Sequence, residues 1–285
     1  MLKRFSNCIN SNRLKSTIKV GKFISQQFTD IFLDYVYPLR CPICDKIIEK
    51  DYIDFSEFNR QKPFLEQFKS VGGKQRLVHD ICKTKILNVD EPCCMKCGHP
   101  VVDEATEYCQ DCIKREHKFR QSKALFVYKG HIKLSMYRFK YSNRREYAKF
   151  FAKKAVERYG KWLEIVDPEV IVPVPMYHKK EIKRGYNQAE VFAEELSKLT
   201  GIPVDSKTVK RIRDTIALKG LNPTERKNML NNAFFLDNFE KTYKRILIVD
   251  DIYTTGSTLD AITKELNKAH VEDVYGLLIC TGKGY

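Results

Sequence analysis

The sequence predicts an α/β fold, a parallel sheet with helices packed on it, preceded by a small cysteine-rich module. Three observations lead there. Residues 245–258 read RILIVDDIYTTGST, a short apolar run followed by two acids and a string of small residues. From residue 118 onward, apolar runs of strand length alternate with stretches of helical periodicity, the pattern of a parallel α/β sheet. Before that point the cysteines are gathered in pairs two residues apart rather than scattered.

The stretch at 245–258 organises the rest. Ile246 to Val249 are four apolar residues bounded by charge, the signature of a strand buried on both faces. Asp250 and Asp251 follow at its C-terminal end, where open α/β sheets bind ligands. Thr254, Thr255, Gly256, Ser257 and Thr258 then open a helix with Leu259, Ile262, Leu266 and Ala269 on one face. A strand, a small-residue loop and a helix N-terminus make an anion cradle, because unpaired N–H groups and the helix dipole both favour negative charge. Two carboxylates beside such a cradle suit a ligand that also presents hydroxyls, and a sugar phosphate presents both. The alternative is a surface turn with an Asp N-cap.

In chain order, residues 1–35 form a basic extension. Lys3, Arg4, Arg13, Lys15, Lys19 and Lys22 precede the first acid, Asp30. Ile24, Phe28, Ile31 and Phe32 recur at helical spacing, which predicts a docking helix behind a solvated charged start. An organelle transit peptide is the competing reading.

Residues 36–117 carry three CxxC pairs, Cys41/Cys44, Cys94/Cys97 and Cys109/Cys112, and His79/Cys82 has the same spacing. Each pair offers two soft ligands through one tight turn, and a tetrahedral zinc site needs two such turns. The pairs at 94/97 and 109/112 have zinc-ribbon spacing; the first pair is separated from His79/Cys82 by a long charged insert. Redox chemistry is the rival, but a thioredoxin-like motif occurs once in a chain, not three times. Cys8, Cys93 and Cys280 fit no pair, and Cys280 lies in an apolar run expected in the core.

Residues 118–285 predict strands at 124–128, 170–175, 246–249 and 274–280. Tyr147, Phe151, Ala155 and Tyr159 mark one helix and residues 188–199 another. Residues 201–243 read as irregular and basic. Pro173 and Val174 end a strand just before His178, Lys179, Lys180, Lys183 and Arg184, a cation cluster suited to a diphosphate, with Arg184 able to grip it bidentately. A solvated basic loop is the plain alternative. Residues 211–234 suit a loop that closes over an anion, or simply a surface loop.

The 285-residue chain carries 51 Lys and Arg against 36 Asp and Glu, 51 − 36 = +15, which favours anionic partners. Lys140, Arg144 and Arg145 lie among Tyr137, Phe139, Tyr141 and Tyr147, a mixture of charge and ring faces suited to single-stranded nucleic acid. This segment is expected to act independently of Asp250–Thr258. No apolar stretch approaches the ~20 residues of a membrane span, and a cytoplasmic location is expected.

The stretch LIVDDIYTTGSTL resembles the phosphoribosyl pyrophosphate (PRPP) signature of type I phosphoribosyltransferases. The resemblance implies Asp250 and Asp251 on the ribose hydroxyls, Thr254–Thr258 around the 5′-phosphate, and Mg²⁺ with the bound PRPP. With FLDYVYPLRCPIC, MYRFKYSNRREYA, VPVPM, KRGYNQAE and GLNPTERKNMLNNAF in order before it, the chain from about residue 30 to 281 resembles the ComF family of competence-associated, amidophosphoribosyltransferase-like proteins. That likeness implies a type I phosphoribosyltransferase-like domain behind a zinc module, and a role with incoming single-stranded DNA. It also implies a competence helicase and a recombination mediator as partners, through which the chain would meet the membrane. Two departures stand out: His79 replaces a usual cysteine, and Leu218 stands where many members carry glutamine. An active transferase on a nucleobase or amine, or a PRPP-sensing regulator, are the alternative functions.

Overall fold

The computed structural model describes residues 38–49, 76–212, 233–237 and 243–282. The docking helix expected at 24–32, Cys8, and Leu218 with its loop lie outside the described residues. The chain divides into two compact units, Met1–Arg40 with Lys46–Arg76, and Cys41–Asp45 with Leu77–Tyr285. In the first, Arg40 and Ile47 pair as an antiparallel bridge, and the Ile48 N–H donates to the Leu39 carbonyl at 2.8 Å.

The second unit begins with two short helices, α1 (Asp80–Lys83) and α2 (Gln110–Lys114). The α/β part follows as β1 (Gln121–Val127), α3 (Gly130–Tyr141), α4 (Tyr147–Val166), β2 (Val170–Pro173), α5 (His178–Arg184) and α6 (Gln188–Thr200). It ends with β3 (Val209–Arg211), β4 (Phe234–Leu236), β5 (Arg245–Tyr253), α7 (Ser257–Lys268) and β6 (Asp273–Thr281). Four strands form a parallel sheet in the order β1-β6-β5-β2. Ile246, Leu247, Ile248 and Val249 of β5 are all fully buried, as a strand paired on both edges and covered on both faces requires.

Helices form where the sequence places an apolar stripe. Tyr147, Phe151, Ala155 and Tyr159 of α4 are buried, and the helix stops at Asp167, whose left-handed φ of 43° turns the chain out. The Asn187 side chain accepts from the Ala189 N–H and caps α6. On α7, Leu259, Ile262 and Leu266 face the sheet. Gly276 lets that helix in: a Cβ there would lie 2.9 Å from the Leu259 side chain and 2.9 Å from Ser122 Cβ. Phe126, Phe139, Phe150 and Phe151 interlock beneath α3 and α4, with ring centroids 5.4–6.1 Å apart.

The structure corrects three expectations. First, β5 extends to Tyr253, so Asp250 is paired opposite Leu278 and the acids belong to the strand, because β6 runs alongside far enough to hold them. Second, β2 ends at Pro173: the Val174 N–H still reaches the Val249 carbonyl at 2.9 Å, but Pro175 has no N–H to continue. Third, 201–243 is not wholly irregular. Residues Val209–Arg211 and Phe234–Leu236 pair antiparallel, burying Val209 and Phe234. Three-residue strands are too short to show an alternation in sequence. Among the described residues no helix is long and apolar enough to cross a membrane.

Candidate functional site

The cysteines come together as two groups of four. Cys41, Cys44, His79 and Cys82 form one, Cys94, Cys97, Cys109 and Cys112 the other, and within each the ligand atoms all lie within 4.8 Å of one another. Tight turns produce this: the Asp45 N–H donates to the Cys41 carbonyl at 2.8 Å, and the Gly98 N–H to the Cys94 carbonyl at 2.9 Å. The Cys97 and Cys109 sulfurs are 3.7 Å apart. Zinc–sulfur bonds of about 2.3 Å in a tetrahedron put sulfurs roughly 3.8 Å apart, so the second group fits zinc closely. In the first group His79 Nδ1 lies 3.3 Å from Cys44 Sγ, and the insert between the pairs does not keep them from meeting. Both groups offer the soft thiolate and imidazole donors that zinc takes. Without a cation the sulfurs compete for protons. Hydrogen bonds from Cys109, Cys112 and Cys97 hold Cys94 well below the usual thiol range. Burial, then the Cys44 and Cys41 sulfurs, push Cys82 up to about 12.

At the C-terminal end of β5 the acids lie side by side. The Asp251 N–H donates to Asp250 Oδ1 at 2.8 Å. Burial first, then the charge of Asp251, push the Asp250 carboxyl up to about 7, with Lys140 and Arg211 opposing the shift. From α3, Lys140 Nζ makes an ion pair with Asp251 Oδ2 at 2.8 Å. Burial alone would lower Lys140, but the charge and hydrogen bond of Asp251, with Asp250 beyond, outweigh it and hold the ammonium above the ordinary lysine range. The expectation that Lys140 acts apart from the acids is therefore corrected. Sequence could not show this, because α3 and β5 are brought together by the sheet.

The loop after β5 is braced from behind. Gly256 is left-handed at φ 71° and precedes α7 with no side-chain cap. Thr255 Oγ1 and Ser257 Oγ are 2.9 Å apart, whereas Thr254 is exposed. A Cβ on Gly256 would lie 2.7 Å from Tyr253 Oη and 2.8 Å from His117 Cε1. His117 Nδ1 meets Asp260 Oδ2 at 2.8 Å, and the Lys118 N–H donates to Asp260 Oδ1 at 2.7 Å. Phe119 stacks on His117 at 4.9 Å and meets Tyr253 edge-on at 6.4 Å. The segment just after the second cysteine group thus grips the loop and the first turn of α7. Sequence reasoning missed His117, whose partner is 143 residues away.

The other expected site residues separate. Pro173 and Val174 are buried at the end of β2, the neighbour of β5. The Arg184 guanidinium lies 4.9 Å over the Tyr141 ring and donates to Gln188 Oε1. Arg144 grips Asp45 with two bonds of 2.8 and 3.2 Å, joined by the Tyr147 hydroxyl at 2.7 Å, and so steadies the turn that holds Cys41 and Cys44. Arg145 donates to Asn143 Oδ1 and the Gly185 carbonyl and lies 4.6 Å over Tyr186. Lys140, Arg144 and Arg145 therefore serve three different partners. Of the aromatics among them Phe139 and Tyr147 are core, while Tyr137 and Tyr141 are 59% and 61% exposed with centroids 5.1 Å apart.

Comparison with known proteins adds the following. The chain is 35% identical over 188 residues to Competence protein F of Haemophilus influenzae, covering 64% of this chain and 82% of that protein. The chain belongs to the competence protein F family. Within it, the chain is 28% identical to Competence protein ComFC of Bacillus subtilis, over 62% of this chain and 72% of that one. It is also 28% identical to DNA utilization protein YhgH of Salmonella typhimurium, over 66% and 83%. No family model matches the chain. Among solved structures, a purine phosphoribosyltransferase from Pyrococcus horikoshii aligns with 46% of this chain and 72% of its own at 19% identity, with a TM-score of 0.28, an overlap too loose to bear weight.

Proposed function

We propose that this protein handles single-stranded DNA during natural transformation and that the end of β5 binds PRPP or a related 5-phosphorylated ribose. Family membership supports the competence role, through relatives named for competence and for DNA utilization. The observation that carries the DNA reading is the exposed pair Tyr137 and Tyr141 on α3, with the Arg184 guanidinium over the second ring. Exposed aromatic rings beside a cation suit unpaired bases and their phosphates, and this reading puts the candidate surface on Tyr137 and Tyr141 rather than on the three cations expected in sequence. The sugar-phosphate reading rests on the two acids, with carboxylate oxygens to accept from hydroxyls, next to a glycine-led helix start that lacks a side-chain cap.

Binding of a short oligonucleotide by fluorescence anisotropy tests the first part. Tyr137→Ala with Tyr141→Ala is expected to weaken binding by about tenfold or more, since each stacked base contributes about 1–3 kcal/mol. Arg144→Ala is expected to leave affinity nearly unchanged. An unchanged affinity in the tyrosine pair variant would remove this surface from the DNA site. A second reading is phosphoribosyl transfer: the paired acids at the end of β5 lie beside the helix start, and burial with the Asp251 charge pushes the Asp250 carboxyl up to about 7, toward the range of a general acid or base. Release of pyrophosphate from PRPP on adding a nucleobase or amine would select it.

A further inference from the structure

We propose that Lys140 is the resident counter-cation of the Asp250–Asp251 pair, so that the site engages sugar hydroxyls without a divalent metal. This rests on the reading of the site as one for a sugar phosphate, and it departs from the Mg²⁺ that the family resemblance implies.

The ammonium takes the place a metal would need. Mg²⁺ requires oxygens at about 2.0–2.1 Å in near-octahedral order and gives up its water reluctantly. Asp251 Oδ2 already faces Lys140 Nζ at 2.8 Å, and the two side chains retain only 17% and 19% exposure. In such a setting an ion pair is far stronger than in water, and removing one partner strands the other. Lys140 also has little freedom to withdraw. Its neighbours on α3, Met136 and Phe139, are fully buried, and the Phe139 carbonyl accepts from the buried Tyr186 hydroxyl. These contacts fix the helix, so the ammonium is presented to the acids from an anchored backbone on a side chain that is itself mostly buried.

Charge gives the same answer. Two carboxylates against one ammonium leave at most a single net negative charge, a weak attraction for a divalent ion. The carboxylate oxygens not committed to the ammonium or to the Asp251 N–H remain acceptors, which is what a ribose diol needs. Lys140 is thus a positioning residue: it holds Asp251 in place and keeps the pair near neutral while hydroxyls approach.

The test uses the zinc-loaded full chain and two probes. Mn²⁺ alone is titrated and free ion read by electron paramagnetic resonance. Wild type is expected to show no site that depends on Asp251. Lys140→Met is expected to gain one, because the stranded carboxylates seek a cation, and adding Asp251→Asn should abolish it. Lys140→Arg, which keeps the charge and guards against a general loss of fold, should stay closed to Mn²⁺. Ribose 5-phosphate is then titrated calorimetrically with and without Mg²⁺. Wild type is expected to bind equally well in both, and Lys140→Met about tenfold or more weaker without Mg²⁺. A wild-type Mn²⁺ site lost in Asp251→Asn, no gain of a site in Lys140→Met, or ribose 5-phosphate binding that requires Mg²⁺ would overturn the proposal. No binding of ribose 5-phosphate under either condition would instead overturn the sugar-phosphate reading, while the Mn²⁺ titration still decides the role of Lys140.

Discussion

Asp250 carries the sharpest residue-scale consequence. Its carboxyl ordinarily titrates at 3.8 and is pushed up to about 7 in the folded protein, by burial and then by Asp251. The folded state therefore holds more protons than the unfolded one between those values, and stability falls as pH rises through that window. Lys140 and Arg211 temper the shift without reversing it. Asp250→Asn is expected to be more stable than wild type at pH 8, on the order of 1–2 kcal/mol after allowance for partial solvent screening. The gap should close near pH 4, and urea midpoints of both proteins at the two pH values check it. A gap of equal size at both would show that Asp250 ionises in the fold as it does in the unfolded chain. Lys140 is the complementary case: a residue whose sequence neighbours suggest nucleic acid but whose side chain belongs to the acids. The charge run around it was legible in sequence; its partner was not, because Asp251 reaches it only through the sheet.

At the scale of elements, the loop between β5 and α7 is the part most constrained by its surroundings. Gly256 needs a positive φ that only glycine adopts without strain, and a Cβ there would run into the Tyr253 hydroxyl and the His117 ring. Gly256→Ala is therefore expected to displace the loop, costing about 1–3 kcal/mol and weakening binding of ribose 5-phosphate while the sheet remains folded. Thermal melting followed by the same calorimetric titration separates the two effects; unchanged affinity would mean the loop does not hold the phosphate. Helix α3 shows the division of labour within one element. Ile132, Met136 and Phe139 fill the core, Lys140 turns to the acids, and Tyr137 and Tyr141 face solvent.

For the whole molecule, the two groups of four ligands are the places where a bound zinc ion could support the fold. The two four-ligand groups lead to an expected content of two zinc ions per chain in protein purified without chelator. Cys97→Ser should release about one of them, and structural zinc contributes on the order of 10 kcal/mol to small domains, so the melting temperature should drop sharply. Because residues 117–119 follow the second group and brace the loop at Gly256, that variant should also bind ribose 5-phosphate more weakly. Metal analysis by inductively coupled plasma mass spectrometry, with melting curves, checks this; a zinc-free native protein would return the cysteines to a redox role.

What the sequence determined by itself was everything written in local pattern. The buried strand at 246–249 shows as an apolar run, the stripe of α4 as a period of four, and the candidate metal ligands as repeated two-residue spacings. Such signals survive because each depends on residues a few positions apart. Tertiary structure alone decided that Cys41 and Cys44 meet His79 and Cys82 across the insert, that the acids lie inside a paired strand, and that 209–211 finds 234–236. It also assigned three adjacent-looking cations to three partners: Asp251, Asp45 and the Gly185 carbonyl. These are contacts between residues tens to more than a hundred positions apart, formed because burying the apolar faces brings the elements together. A side chain's charge is fixed by its chemistry, but the partner it meets is fixed by packing.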